Sequence, residues 1–120
     1  MLAKTYKKRI ITSMSAVGTY RPEFSGSIEE LAQMLEDLDG ARQKFNDAGS
    51  QVVVEHTNKN GSANMVKNPL YLAIEGMQTR ILAYYKELGL TPMGLKKIKG
   101  DEAGGAGQAE LLEALKDLGG

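Results

Sequence analysis

The chain contains no cysteine and no tryptophan, and only two of its 120 residues are phenylalanine. Without cysteine, neither a disulfide nor a thiolate metal site can form. The shortage of large aromatic side chains, together with fourteen glycines, predicts a thin core for a single small domain. We expect such a domain to gain part of its stability from association.

Long apolar runs are also missing. The stretch Ile10–Gly18 is too polar for the core of a signal peptide. No run approaches the roughly 20 apolar residues that a membrane span requires. The sequence therefore predicts a soluble, cytoplasmic protein.

The net charge of zero conceals alternating blocks of charge. Residues 1–26 carry five basic groups and one acid, and residues 27–49 carry two basic groups and six acids. Residues 50–100 are again basic, and residues 101–120 are acidic. The alternation predicts separate faces for different partners, one of them anionic. Chance segregation within short segments is the alternative explanation.

Two long helices are predicted. Ser27 and Glu30 form a capping box ahead of apolar residues spaced by three and four, which predicts a helix over residues 27–48. Asn68-Pro69 marks the start of a second helix. That helix carries a heptad seam of Leu70, Ile74, Met77, Ile81, Tyr84 and Leu88.

A second, weaker apolar face of this helix consists of Leu72, Leu82 and Tyr85. Because the seam already accounts for packing on the first helix, these three residues are the candidate oligomerisation residues. Another copy of the same chain is the simplest partner for them.

Between the helices, the β-branched run 51–56 and residues 63–66 flank the turn sequence Asn58–Gly61, which predicts a short β-hairpin. The predicted fold is therefore mainly α: an antiparallel helical hairpin over residues 27–99 with a short β-hairpin in the connection. Residues 1–26 are predicted to be a basic, partly flexible arm, because Gly18 and Pro22 interrupt them. Residues 100–107 are predicted to be a flexible linker and residues 108–120 a short amphipathic helix or tail.

The sequence offers little material for catalysis. His56 is the single histidine, and no carboxylate–nucleophile set accompanies it. The glycines of residues 104–107 lack the preceding strand and the Lys-Ser/Thr pair of a phosphate-binding loop. We therefore expect no enzymatic activity, no cofactor and no metal site.

A series of features, taken in order, resembles the small subunit of phage terminases, the proteins that initiate DNA packaging in tailed phages. The match runs from Gly18–Phe24 through the acidic first predicted helix and the turn Asn58–Gly61 to Lys67–Pro69, and it ends with Leu88–Pro92 and the basic run after it. The resemblance covers about two thirds of the chain. Many small terminase subunits carry an N-terminal helix-turn-helix, and residues 1–26 do not match one.

The resemblance implies a non-catalytic protein that assembles into a ring-like homo-oligomer in the host cytoplasm. It would bind the double-stranded DNA of the phage packaging site and deliver it to the large terminase subunit, the ATPase and nuclease, whose activity it modulates. The candidate DNA-binding residues are the basic groups Lys4, Lys7, Lys8, Arg9, Lys96, Lys97 and Lys99. The candidate docking residues for the large subunit are Leu111, Leu112, Leu115 and Leu118.

Two alternatives remain open from the sequence. The first is a small dimeric helix-turn-helix regulator that uses Thr91–Lys99 as its recognition helix. The second is a structural phage adaptor that assembles through its helices and does not bind DNA.

Overall fold

A computed structural model describes residues 1–100, which form four α-helices and one β-hairpin. The elements are α1 (Ala3–Val17), a 3₁₀ turn (Pro22–Phe24), α2 (Ser25–Asp47), β1 (Val53–Thr57), β2 (Ala63–Lys67), α3 (Pro69–Glu87) and α4 (Pro92–Lys99). The prediction of a mainly helical fold with an inserted β-hairpin is confirmed. The predictions for residues 101–120, including the four leucines, lie outside the described residues.

Helix α1 occupies most of the segment that the sequence analysis describes as a partly flexible arm. It packs along α2 and buries Ile10, Met14 and Val17, each at most 1% exposed. The helix is hard to recognise in the sequence because polar residues dilute its apolar stripe. Ser13 lies within that stripe and is itself fully buried. Gly18 ends the helix with a φ of 78°, a left-handed conformation that glycine adopts without steric cost.

The start of α2 differs from the prediction. The helix begins at Ser25, because the 3₁₀ turn runs directly into it and the Ser25 N–H donates to the Pro22 carbonyl oxygen. Phe24 is the residue at the N-cap, and its side chain makes no capping hydrogen bond. The predicted capping box at Ser27 is therefore wrong, since Ser27 already lies in the first turn.

Helix α3 begins where the sequence predicts. The Asn68 side-chain oxygen accepts a hydrogen bond from the Leu70 N–H at 3.0 Å, and Pro69 occupies the first helical position. Ile74, Ile81 and Leu88 of the heptad seam are buried in the core shared with α1 and α2. The other seam residues are half-buried against the same core.

The corner between α3 and α4 also agrees with the sequence. Gly89 adopts a φ of 74°, and the Leu90 N–H closes the end of α3 by donating to the Tyr85 carbonyl at 2.8 Å. The Thr91 hydroxyl oxygen then caps α4 by accepting from the Gly94 N–H at 3.1 Å. A Cβ at Gly94 would overlap the Lys86 carbonyl oxygen, so glycine is what allows α4 to fold back closely on α3.

Candidate nucleic-acid interface

Helix α1 carries basic residues and not a single acid along its 15 residues. Lys4 and Lys8 are exposed, whereas Lys7 and Arg9 are half-buried. Lys8 and Arg9 line a shallow surface depression of about 420 Å³ together with Thr5 and Thr12. This part of the helix therefore offers cationic and hydroxyl donors, the groups that bind phosphate oxygens.

Lys4 is placed against the dipole of its own helix. It lies in the first turn of α1, which contains no acid. The N-terminus of a helix carries partial positive charge, so a cation in that turn reduces helix stability. Lys7 and Lys8 lie beyond this turn, where the effect of the dipole falls off. Local helix stability therefore does not explain Lys4.

Only one of the four basic groups on α1 has a carboxylate partner within residues 1–100. The Lys7 ammonium lies 2.9 Å from Glu29 of α2. The hydrogen bond from Lys7 lowers the pKa of the Glu29 carboxyl. Lys4, Lys8 and Arg9 have no carboxylate within ion-pair distance in that part of the chain. Within that part of the chain, no ion pair therefore neutralises these three charges.

Tyr6 and Asp39 hold the basic half of α1 against α2. The Tyr6 hydroxyl donates to the Asp39 carboxylate at 2.7 Å. Burial, with the Asp39 hydrogen bond and charge, raises the pKa of Tyr6 to about 12. Burial alone would raise the pKa of Asp39, but hydrogen bonds from Tyr6 and the Met1 amino group lower it overall.

The sequence does not predict the Tyr6–Asp39 pair, but it does contain a signal for the helix face on which Tyr6 lies. Tyr6 precedes Ile10, Met14 and Val17 at spacings of four, four and three. That spacing is the stripe of one helix face.

The second predicted basic cluster lies at the other end of α1. Lys96 and Lys97 are exposed on α4. The Lys99 ammonium lies 2.6 Å from the position of a Cβ built on Gly18, and so sits at the carboxyl end of α1, where the helix dipole favours a cation. Gly18 is ten residues beyond Lys8, about 15 Å along the helix axis. The structure therefore separates the two predicted clusters.

The three candidate oligomerisation residues fall into two groups. Leu72 and Leu82 are 49% and 60% exposed on α3. Tyr85 packs against the core of its own chain, and burial raises the pKa of its hydroxyl. Leu72 and Leu82 are therefore free to contact another molecule, whereas much of the Tyr85 side chain is already packed against its own chain.

Other kinds of site find little support in residues 1–100. No group of three or more acidic or histidine side chains in this part of the chain is placed to hold a metal ion. None of the helices described is long and apolar enough to cross a bilayer. His56, the single histidine, is exposed on β1.

Comparison with known proteins identifies the family. The family model described as "Phage terminase, small subunit" matches residues 3–104, a span that includes all the elements described above. The chain therefore belongs to the phage terminase small-subunit family, and the resemblance inferred from the sequence is confirmed. Membership indicates a role in phage DNA packaging within a family that is generally non-catalytic. No curated protein and no solved structure matches the chain.

Proposed function

We propose that this small terminase subunit binds double-stranded DNA at the phage packaging site through the basic surface of α1. The observation that carries the proposal is the set of cations Lys4, Lys8 and Arg9. They have no carboxylate partner within residues 1–100, and they lie on a helix that contains no acidic residue. Their chemistry fits the phosphate backbone, which dominates the affinity of proteins for DNA.

Assembly strengthens this electrostatic capture. Three cations per chain give weak affinity, but several copies in a closed ring act on one DNA molecule together. The exposed Leu72 and Leu82 on α3 supply apolar contacts for such a homo-oligomer. Lys96 and Lys97 on α4 add a second set of phosphate contacts at the opposite end of α1.

Site selection then arises from DNA shape more than from base contacts. Helix α4 has eight residues, and it buries Gly94 and Leu95 against α3. This leaves Lys96 and Lys97 to contact phosphates, which position a protein without specifying a sequence. The bending of DNA against a ring supplies sequence preference without base readout.

Delivery to the large terminase subunit completes the proposed role. We assign it to Leu111, Leu112, Leu115 and Leu118, which lie on one side of a helix if residues 108–118 are helical. The large subunit supplies the ATPase and nuclease activities. The small subunit presents the bound DNA to it and modulates those activities.

The decisive experiment measures DNA binding at rising salt together with the mass of the assembly. Electrophoretic mobility shifts on packaging-site DNA should weaken steeply as the salt concentration rises, and light scattering should show a closed ring of many copies. Binding that is absent even at low salt would favour the structural adaptor. A clean dimer that loses sequence preference on Lys96→Gln/Lys97→Gln substitution would favour the helix-turn-helix regulator.

A further inference from the structure

The acidic and basic groups are divided unevenly between the described residues and the segment that follows them. Residues 1–100 carry fourteen basic and ten acidic groups, a net charge of +4. Residues 101–120 carry one basic and five acidic groups, a net charge of −4. In formal charge, the segment after Gly100 therefore balances the whole excess of the described part. Opposite charges on two parts of one chain attract each other, and salt weakens the attraction.

The basic surface of α1, formed by Lys4, Lys8 and Arg9, is a candidate partner for these acids. Its three cations have no carboxylate within ion-pair distance among residues 1–100. Thr5 and Thr12 line the same depression as Lys8 and Arg9, so hydroxyl groups lie beside the cations. Ammonium, guanidinium and hydroxyl groups are the donors that bind carboxylate oxygens.

The lysines of α4 are a weaker candidate. Lys96, Lys97 and Lys99 lie in the last turn of that helix, where the dipole favours a cation. Lys4 lies instead in the acid-free first turn of α1, where a nearby carboxylate offsets an unfavourable interaction. The surface of α1 therefore gains more than α4 from an acidic partner.

The described residues end within reach of this surface. The Lys99 ammonium lies beside Gly18 at the carboxyl end of α1, and Gly100 follows directly. Lys8 is ten residues from Gly18, about 15 Å along the helix axis. Residues 101–107 span up to about 23 Å when extended. The residues after them therefore reach the basic surface of their own chain, running back towards the N-terminus of α1.

The spacing of two of these acids matches the spacing of two of the cations. Lys4 and Lys8 are four residues apart, as are Glu113 and Asp117. On the helix that the sequence predicts for residues 108–118, this spacing places both carboxylates on one face, about 6 Å apart along the axis. The leucines of the same segment fall on a different face, so a contact through the acids does not use them.

We propose that Glu113 binds Lys8 and Asp117 binds Lys4 of the same chain, so that residues 108–118 form an acidic cover over the basic surface of α1. The direction of the chain after Gly100 sets this order of pairing. The acidic cover occupies the cations that DNA phosphates would contact, and DNA has to displace it. This consequence for DNA rests on the proposed function, whereas the contact itself does not.

Zero-length cross-linking of the full chain tests the contact. A carbodiimide joins a lysine ammonium to a carboxylate that touches it, and peptide mass spectrometry identifies the pair. Products that join Lys8 to Glu113 and Lys4 to Asp117 should form at low salt. They should appear in chains that keep the single-chain mass of 13.0 kDa on a denaturing gel.

The ion pair between Lys7 and Glu29, 2.9 Å long, is the internal positive control. If that product forms and none joins α1 to residues 108–118, the acidic cover is wrong. Products that join the two acids mainly to Lys96 or Lys97 would also overturn it. Products formed mainly between two chains would overturn the contact within one chain.

Substitution of the acids tests the competition with DNA. Glu113→Gln/Asp117→Asn should tighten binding to double-stranded DNA by about 2- to 10-fold at low salt, because DNA no longer displaces two ion pairs. Asp101→Asn/Glu102→Gln is the matched control, since it removes the same charge from the part of the segment next to α4. The control should tighten binding by a smaller factor. Equal factors would overturn the competition, because net charge alone would explain them.

Added DNA separates this inference from the proposed function. Excess double-stranded DNA should suppress the products that join α1 to residues 108–118 and leave the product of Lys67 and Glu75 unchanged. If the former products form but the chain shows no salt-dependent DNA binding, the contact stands and the proposed function fails. If the chain binds DNA with the expected salt dependence but forms no such products, the proposed function stands and the acidic cover is wrong.

Discussion

Gly94 of α4 lies directly against the carbonyl oxygen of Lys86 in α3, so close that a Cβ at this glycine would overlap that oxygen. The contact follows from the corner at Gly89, which turns the chain back on itself between Glu87 and Pro92. In the sequence, Gly94 signals a weak helix, because glycine lowers helix stability. In the structure, the same residue permits the closest approach of two helices.

Gly94→Ala should therefore destabilise the protein, although alanine is the better helix former. The added methyl group would push α4 away from Lys86. Such overpacking lowers the unfolding free energy by about 1–3 kcal/mol. Chemical denaturation of the purified variant measures it. Gly76→Ala is the matched control, because a Cβ at Gly76 would meet nothing within 4 Å, and it should stabilise the protein by about 1 kcal/mol. Equal effects from the two substitutions would refute the close-packing explanation.

The parts of the fold that the sequence predicts are those with local signals. The hairpin turn, the Asn68-Pro69 start and the Thr91-Pro92 start each depend on a few neighbouring residues, and each agrees with the structure. Helix α1 depends instead on burial against α2, and its apolar stripe contains Ser13. Packing against α2 therefore stabilises a helix that the local sequence pattern does not predict.

The candidate site shows the same contrast between local and long-range signals. The sequence identifies the cations of α1, because four basic groups occur within six residues, 4–9. Their separation from Lys99 is not visible in the sequence, because it depends on α4 folding back towards Gly18. The Tyr6–Asp39 hydrogen bond joins residues 33 positions apart. No local pattern predicts such a contact.

Helix capping gives a second prediction. Asn68→Ala should lower the unfolding free energy by at least about 1 kcal/mol, because the Leu70 N–H loses its side-chain acceptor and the Gln51 carbonyl loses its hydrogen bond from the Asn68 amide. Ser27→Ala should have almost no effect, since Ser27 lies inside the first turn of α2 and not at its cap. Thermal or urea unfolding compares the two. A loss at Ser27 as large as that at Asn68 would restore the capping box at residues 27–30.

The Tyr6–Asp39 pair predicts how stability changes at alkaline pH. The pKa of Tyr6 is raised from 10.0 to about 12 in the folded protein. The folded state therefore holds this proton more tightly, and the resulting stability is fully present below pH 10 and is lost as pH rises to about 12. Tyr6→Phe should lower the unfolding free energy at neutral pH by about 1 kcal/mol and should remove this contribution to the alkaline decline.

The same pair acts in the opposite sense at acid pH. The pKa of Asp39 is lowered from 3.8 in the folded state. Its contribution is thus present above pH 3.8 and is lost as pH falls through the lowered value. Asp39→Asn should flatten the acid limb of a plot of unfolding free energy against pH. An acid limb identical to that of the wild type would show that Asp39 does not stabilise the attachment of α1.

The basic face of α1 provides the last prediction, which concerns DNA. Lys4→Gln/Lys8→Gln should weaken binding to packaging-site DNA and to unrelated DNA alike, because phosphate contacts carry no sequence information. The slope of log affinity against log salt should become shallower by about one for each phosphate that the variant no longer neutralises. Fluorescence anisotropy across a salt series measures both quantities. Lys44→Gln removes an exposed charge from α2 and should leave the slope unchanged. If the two variants change the slope equally, general charge rather than the α1 surface binds the DNA.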